Sequence, residues 1–126
     1  PWCVAHHGRS GLTERVRRSG VAMAAAQART LEFVARHCPP GKAPLCGNTI
    51  GQDRRFLARH MPLLHDFFHY RSIDVSTIKE LVSRWYPDRK YLYSKTKQHE
   101  ALADIQESIA ELEHYRKTVF RPASAP

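Results

Sequence analysis

The 126-residue chain has a mass of 14.5 kDa, 42% hydrophobic and 25% charged residues, which is the length and make-up of one ordinary globular domain or part of one. That balance excludes collagen, coiled coil and disorder of the whole chain, and no apolar run approaches the ~18 residues of a membrane-spanning helix. The net charge of +8 is lopsided, because residues 1–60 hold 10 basic and 3 acidic side chains and residues 61–126 hold 10 and 9.

In chain order, Pro1-Trp2-Cys3-Val4 lacks the basic segment and apolar core of a signal peptide. Ser10-Gly11-Leu12-Thr13 reads as a turn, with Ser10 or Thr13 capping a short helix through Arg18. Val21 to His37 reads as an Ala-rich helix presenting Leu31, Val34 and Ala35, with Ala24 and Ala28 continuing that face. Cys38-Pro39-Pro40-Gly41 ends it, since proline cannot continue the hydrogen-bond ladder. Pro44 to Ile50 is a short strand. A helix follows from about Gln52 to Met61, and Pro62 opens a further turn from Leu63 to Phe68. Arg71-Ser72-Ile73-Asp74-Val75 alternates as a second strand. Ser76 is expected to cap a helix to Trp85, and a polar loop runs from Tyr86 to Lys97. The last helix, about Glu100 to Lys117, carries Leu102, Ile105, Ile109 and Leu112 as one core-facing stripe. Residues 121–126 are a frayed tail.

Alternating strands and helices indicate an α/β layer fold, yet two strands make a sparse sheet. The chain also starts without Met, so further strands are expected from outside this segment. A basic half suits a polyanion such as nucleic acid, or is simply a solvated face. Cys3, Cys38 and Cys46 form an odd set at irregular spacing and read as free thiols. With His6 and His7 they have no zinc-ligand spacing.

Three residues stand out chemically. Asp53 follows the first strand in the opening turn of a helix, where the dipole favours a carboxylate; it reads as a first-turn acid or as a metal ligand. His99 and Asp104 are five apart, about 140° around an ideal helix. They meet only if His99 lies at or before the helix start, and they then read as a base and a metal ligand. The alternative is a loop histidine and a rim aspartate. His99-Glu100-Ala101-Leu102-Ala103 is not the H-E-x-x-H zinc motif, because Ala103 stands where the second histidine belongs.

Gly47-Asn48-Thr49-Ile50-Gly51-Gln52-Asp53-Arg54-Arg55-Phe56-Leu57 closely resembles the second exonuclease motif of oligoribonucleases. The block from His69 to Leu81 and the block from His99 to Ile109 resemble their next two, and His6 to Thr13 resembles the segment before them. The resemblance runs from Trp2 to Phe120. It implies a ribonuclease H-like exonuclease fold of α/β class, helix-rich and incomplete here, with residues 1–120 as a partial exonuclease domain whose N-terminal strands are absent. It implies a DEDDh-type 3′→5′ exoribonuclease that degrades dinucleotides and other very short RNAs to mononucleotides with two divalent cations, Mg²⁺ or Mn²⁺. Asp53 and Asp104 match two of the family's four carboxylates, and His99 matches the base. Trp2 and His7 match residues beside the substrate bases and scissile end, although core packing is the other reading for Trp2. Thr49, Arg71, Ser76 and Thr77 match residues around a 5′-phosphate, and Tyr70 matches a tyrosine offered to the partner subunit of a homodimer. The family implies the cytoplasm, or the mitochondrion in a eukaryote, and no membrane. The Asp-x-Glu pair that supplies the other two carboxylates has no match here, so the isolated chain is expected to be inactive. The alternative is a non-catalytic dimerising or RNA-binding remnant.

Overall fold

The computed structural model describes residues 11–92 and 101–120. The frayed-tail expectation, and those for Trp2, His7 and His99, lie outside them. The described elements are α1 (Leu12–Arg18), α2 (Met23–Ala35), β1 (Pro44–Gly47), α3 (Ile50–His60), α4 (Pro62–Phe67), β2 (His69–Asp74), α5 (Val75–Trp85), a 3-10 turn (Pro87–Arg89) and α6 (Ala101–Thr118). The chain is therefore helix-rich with mixed α and β content.

Helix α1 starts after Gly11, whose φ of 71° is left-handed. Glycine adopts it without a Cβ clash, and no side chain caps the helix, so the Thr13 cap is not formed. Leu31 and Val34 of α2 are half-buried as expected, whereas Ala24, Ala28 and Ala35 are exposed. This helix lies against α4, where Gln27 Oε1 accepts from the Leu63 N–H at 3.0 Å.

Strands β1 and β2 are parallel, pairing Leu45 with Ser72, Cys46 with Ile73 and Gly47 with Asp74. Parallel neighbours need a crossover, and α3 and α4 supply it. The register breaks between Pro44 and Leu45; proline has no N–H to give the ladder. The first strand ends at Gly47, three residues short of the expected Ile50, because Ile50 is already helical.

Helix α5 begins two residues earlier than a Ser76 cap would place it. Its N-cap is Asp74, whose side chain accepts from the Ser76 N–H, so Ser76 is not the cap. Aspartate caps as well as serine does, and Asp74 is the last residue of the preceding strand. The main core lies between α5 and α6. Val75, Val82 and Tyr115 are buried, with Ile78, Tyr91, Leu112 and Val119 packed round them.

The stripe of α6 departs from expectation. Leu102, Ile105 and Ile109 are 67%, 56% and 55% exposed, and the buried side chains of this helix are Glu111 and Tyr115. Ile105 and Ile109 face an open cavity, whereas Leu112, at the end of the stripe, packs on the core as expected. Burying Tyr115 against α5 fixes the rotation of the helix, and the stripe follows.

Candidate active site

The cavity, about 690 Å³, is walled on one side by Cys46, Gly47, Asn48, Ile50 and Asp53. On the other side stand Ala101, Asp104, Ile105, Ser108, Ile109, Leu112, Glu113 and Arg116 of α6. Two carboxylates from distant parts of the sequence thus share one wall-lined space. Asp53 is in the first turn of α3 and Asp104 in the first turn of α6. Each therefore sits at the N-terminal, positive end of a helix dipole. Both are exposed, so they are free to take a ligand. Carboxylate oxygens suit a hard divalent cation. Among the described residues, no group of three or more His, Cys, Asp or Glu side chains is arranged to hold a metal.

A second cluster stands at the carboxyl ends of the two strands. Thr49 has φ 54°, ψ 34°, a left-handed conformation that costs a β-branched residue on the order of 1 kcal/mol. Two hydrogen bonds hold it there, from the Thr49 N–H to Asp74 Oδ1 at 3.0 Å and to Ser76 Oγ at 2.9 Å. The Thr49 and Ser76 hydroxyl oxygens are 3.2 Å apart. Asp74 thus closes the β1–α3 corner and caps α5 with one oxygen atom.

Beneath this corner runs a polar chain that was not read from the sequence. Ser76 Oγ donates to Asn48 Oδ1 at 3.2 Å. Asn48 Nδ2 donates to Ser108 Oγ at 3.1 Å and to Glu111 Oε2 at 3.0 Å. Ser108 Oγ in turn donates to the Asp104 carbonyl. Glu111 is fully buried, and its Oε1 accepts from the Tyr115 hydroxyl at 2.8 Å, with Lys79 Nζ at 3.5 Å. A buried carboxylate demands such donors. The only sequence signal was the four-residue spacing of Glu111 and Tyr115.

Tyr70 and Arg71 lie on exposed β2, with the guanidinium 5.4 Å from the Tyr70 ring centroid. Arg54 fixes that strand. Its Nε donates to Ser72 Oγ at 3.0 Å, and its Nη2 donates to the carbonyls of His69 and Arg71 at 2.7 and 3.1 Å. Thr77 is an exposed residue in the first turn of α5. The structure therefore brings Asp53 to Asp104's cavity and Thr49 to Ser76. It leaves Tyr70, Arg71 and Thr77 outside the cavity wall.

Partial burial first, and the Asp74 carboxylate second, push the Cys46 thiol above its ordinary pKa. Both disfavour the thiolate. Iodoacetamide at pH 8 is therefore expected to label Cys46 several-fold more slowly in the native chain than in urea, the rate climbing as pH rises. Equal native and denatured rates, read by mass spectrometry of the Cys46 peptide, would contradict this.

A family model described as Exonuclease, RNase_T, matches residues 1–112. The chain belongs to this exonuclease family. It is 57% identical over 120 residues to an oligoribonuclease of Shewanella oneidensis, covering 95% of this chain and 66% of the relative. It is 57% identical over 119 residues to that of Pseudoalteromonas atlantica, covering 94% and 66%. With that of Pseudomonas fluorescens it shares 57% over 116 residues, covering 92% and 64%. The exonuclease-family chain thus spans about two thirds of the length of these oligoribonucleases. The sequence resemblance to oligoribonucleases is confirmed at this level of identity. In the described residues no helix is long and apolar enough to cross a membrane.

Proposed function

We propose that this chain is part of a 3′→5′ exoribonuclease that degrades dinucleotides and other very short RNAs to mononucleotides. The observation that carries the proposal is the shared cavity of Asp53 and Asp104 in a chain of the exonuclease family. The two carboxylates are the residues to hold divalent cations, two Mg²⁺ or Mn²⁺ in the complete site. When bound, such cations polarise an attacking water and neutralise the scissile phosphate. His99 takes the proton of that water. Thr49, Ser76, Thr77 and Arg71 grip the 5′-phosphate, Arg71 through its forked donors. Trp2 and His7 contact the bases and the scissile end.

Tyr70 reaches the site of a second copy in a homodimer, a reading supported by its 73% exposure. Light scattering should give twice the monomer mass at micromolar concentration, and a stable monomer counts against the dimer. The bacterial relatives support the cytoplasm as the compartment.

Two carboxylates are fewer than a two-cation site needs, so the 126 residues alone should be nearly inactive. The test is release of labelled mononucleotide from a 5′-labelled dinucleotide with Mg²⁺ or Mn²⁺. Adding an upstream segment that carries Asp-x-Glu should raise turnover by roughly 10³-fold or more. No turnover after that addition favours the non-catalytic remnant. Robust metal-dependent turnover by the 126 residues alone, lost on Asp104→Ala, overturns the requirement for the added pair.

A further inference from the structure

Glu111 is the one fully buried charged residue among those described, and it governs atoms well beyond its own helix. A carboxylate only accepts hydrogen bonds. The Asn48 amide must therefore turn its NH₂ towards Glu111 Oε2, as it does at 3.0 Å. Its carbonyl oxygen then faces Ser76, whose hydroxyl donates inward to it. With that proton committed, Ser76 Oγ presents lone pairs to Thr49, and it accepts the Thr49 N–H at 2.9 Å. The 3.2 Å contact between the two hydroxyls is then a bond from the Thr49 hydroxyl to Ser76 Oγ, and the Thr49 proton is the one a ligand can draw outward. Thr49 is exposed and Ser76 is not.

We propose that Glu111 is a positioning residue that sets the direction of the hydrogen bonds from α6 to the Thr49–Ser76 corner. Ser76 meets that corner as an acceptor, and Thr49 is the hydroxyl that donates to a ligand's phosphate. The two hydroxyls are thus unequal, although both are placed to face the same group. This rests on the dinucleotide reading above for the ligand, but not for the direction of the chain.

Reversing the chain tests it. Glu111→Gln keeps the shape and supplies one acceptor and one NH₂. Tyr115 and Lys79 hold the acceptor, so the NH₂ confronts that of Asn48. Asn48 must turn over, Ser108 redirects its proton from the Asp104 carbonyl to the Asn48 oxygen that now faces it, the Asn48 NH₂ reaches Ser76, and the Ser76 proton is driven outward. Adding Asn48→Asp supplies acceptors on both sides, conserves the total charge and returns the Ser76 proton inward.

The measurement is the affinity of the full-length protein for a 5′-phosphorylated dinucleotide relative to its 5′-hydroxyl counterpart, in Ca²⁺ to block hydrolysis. Thr49→Val should lower that preference about tenfold in the parent, the scale of a hydrogen bond to a charged group. In Glu111→Gln it should lower the preference less than about threefold, because Ser76 has taken over the donor role. In the reversed pair the tenfold effect should return. An equal Thr49→Val effect in all three backgrounds overturns the proposal, since a merely structural carboxylate would shift all affinities alike.

Melting gives a readout independent of ligand. Glu111→Gln should lower Tm, and Asn48→Asp should raise it again in that background while lowering it in the parent, where two carboxylates would face each other. Failure of the reversed pair to recover Tm overturns the direction whether or not a dinucleotide binds. If Glu111→Gln does not fold, the reversed pair still decides: a folded pair with Tm recovered supports the direction, and a pair that also fails to fold overturns it. A parent protein that binds no dinucleotide defeats the exoribonuclease reading and leaves melting to judge the hydrogen-bond direction.

Discussion

Asp104→Ala, made in protein that carries the upstream Asp-x-Glu, is expected to cut kcat for dinucleotide hydrolysis by roughly 10³-fold or more. The carboxylate lines the cavity opposite Asp53, and its loss removes one oxygen-donor side chain from the proposed cation site. Stability should hardly move. Asp104 is exposed, and such substitutions usually fall within about 0.5 kcal/mol. The first-turn position contributes a dipole interaction of about 0.3–1 kcal/mol, offset in part by relief of repulsion from Asp53. Asp104→Asn separates charge from shape and should be equally inactive. Mn²⁺ titration should show weaker binding in both variants. Activity within about tenfold of the parent, with Mn²⁺ affinity unchanged, would remove Asp104 from the site. His99→Ala should instead spare binding and lower turnover by about 10²–10⁴-fold, the loss that its proposed role as general base requires.

Asp74→Ala has the largest expected effect on folding. One carboxylate oxygen accepts from both the Ser76 and the Thr49 N–H groups. Losing the cap costs about 1 kcal/mol and leaving the second donor underpaired about 1 more. The total, about 2 kcal/mol, corresponds to a Tm fall of about 8 °C for a domain of this size. Asp74→Asn keeps an acceptor and should cost about half as much. It also removes the charge that helps raise the Cys46 pKa, so Cys46 should alkylate faster in that variant. Thr49→Gly in the Asp74→Ala background should recover about 1 kcal/mol, because glycine takes a positive φ without strain. A Tm for Asp74→Ala within 1 °C of the parent would show that the corner is held by other means.

Local chemistry made most elements legible. The Ala-rich run, the Pro39-Pro40 stop and Pro62 opening a helix act within a few residues, and the observed boundaries lie within about two residues of expectation for those helices. Asp53 stands out because it lies in the opening turn of a helix after a strand, and Asp104 because it lies five residues after His99; the role of each is a proposal. What the sequence hid depends on partners distant along the chain. Ile105 and Ile109 have core-like spacing, but periodicity cannot say which neighbour a face meets. Here the rotation of α6 is set by Tyr115, so the stripe borders a cavity. Nothing in the sequence around Glu111 marks it as buried. Its burial follows from Asn48, 63 positions away, and from Lys79 on α5. Asp74 took the capping role from Ser76 because a strand end and a helix start share that residue.

The Asn48–Glu111 bond also has a kinetic side. A contact spanning 63 positions must overcome a loop-closure entropy that a helical turn never meets, and contacts of that range tend to form late. The helices from α2 to α4 can assemble from near neighbours, whereas the Thr49–Ser76 corner acquires its inner support only when α6 docks. During synthesis, α6 is the last described element to leave the ribosome. A nascent chain therefore displays the basic stretch of residues 1–60 long before the Thr49–Ser76 corner has its inner support, and that corner is complete only after the last described helix has closed.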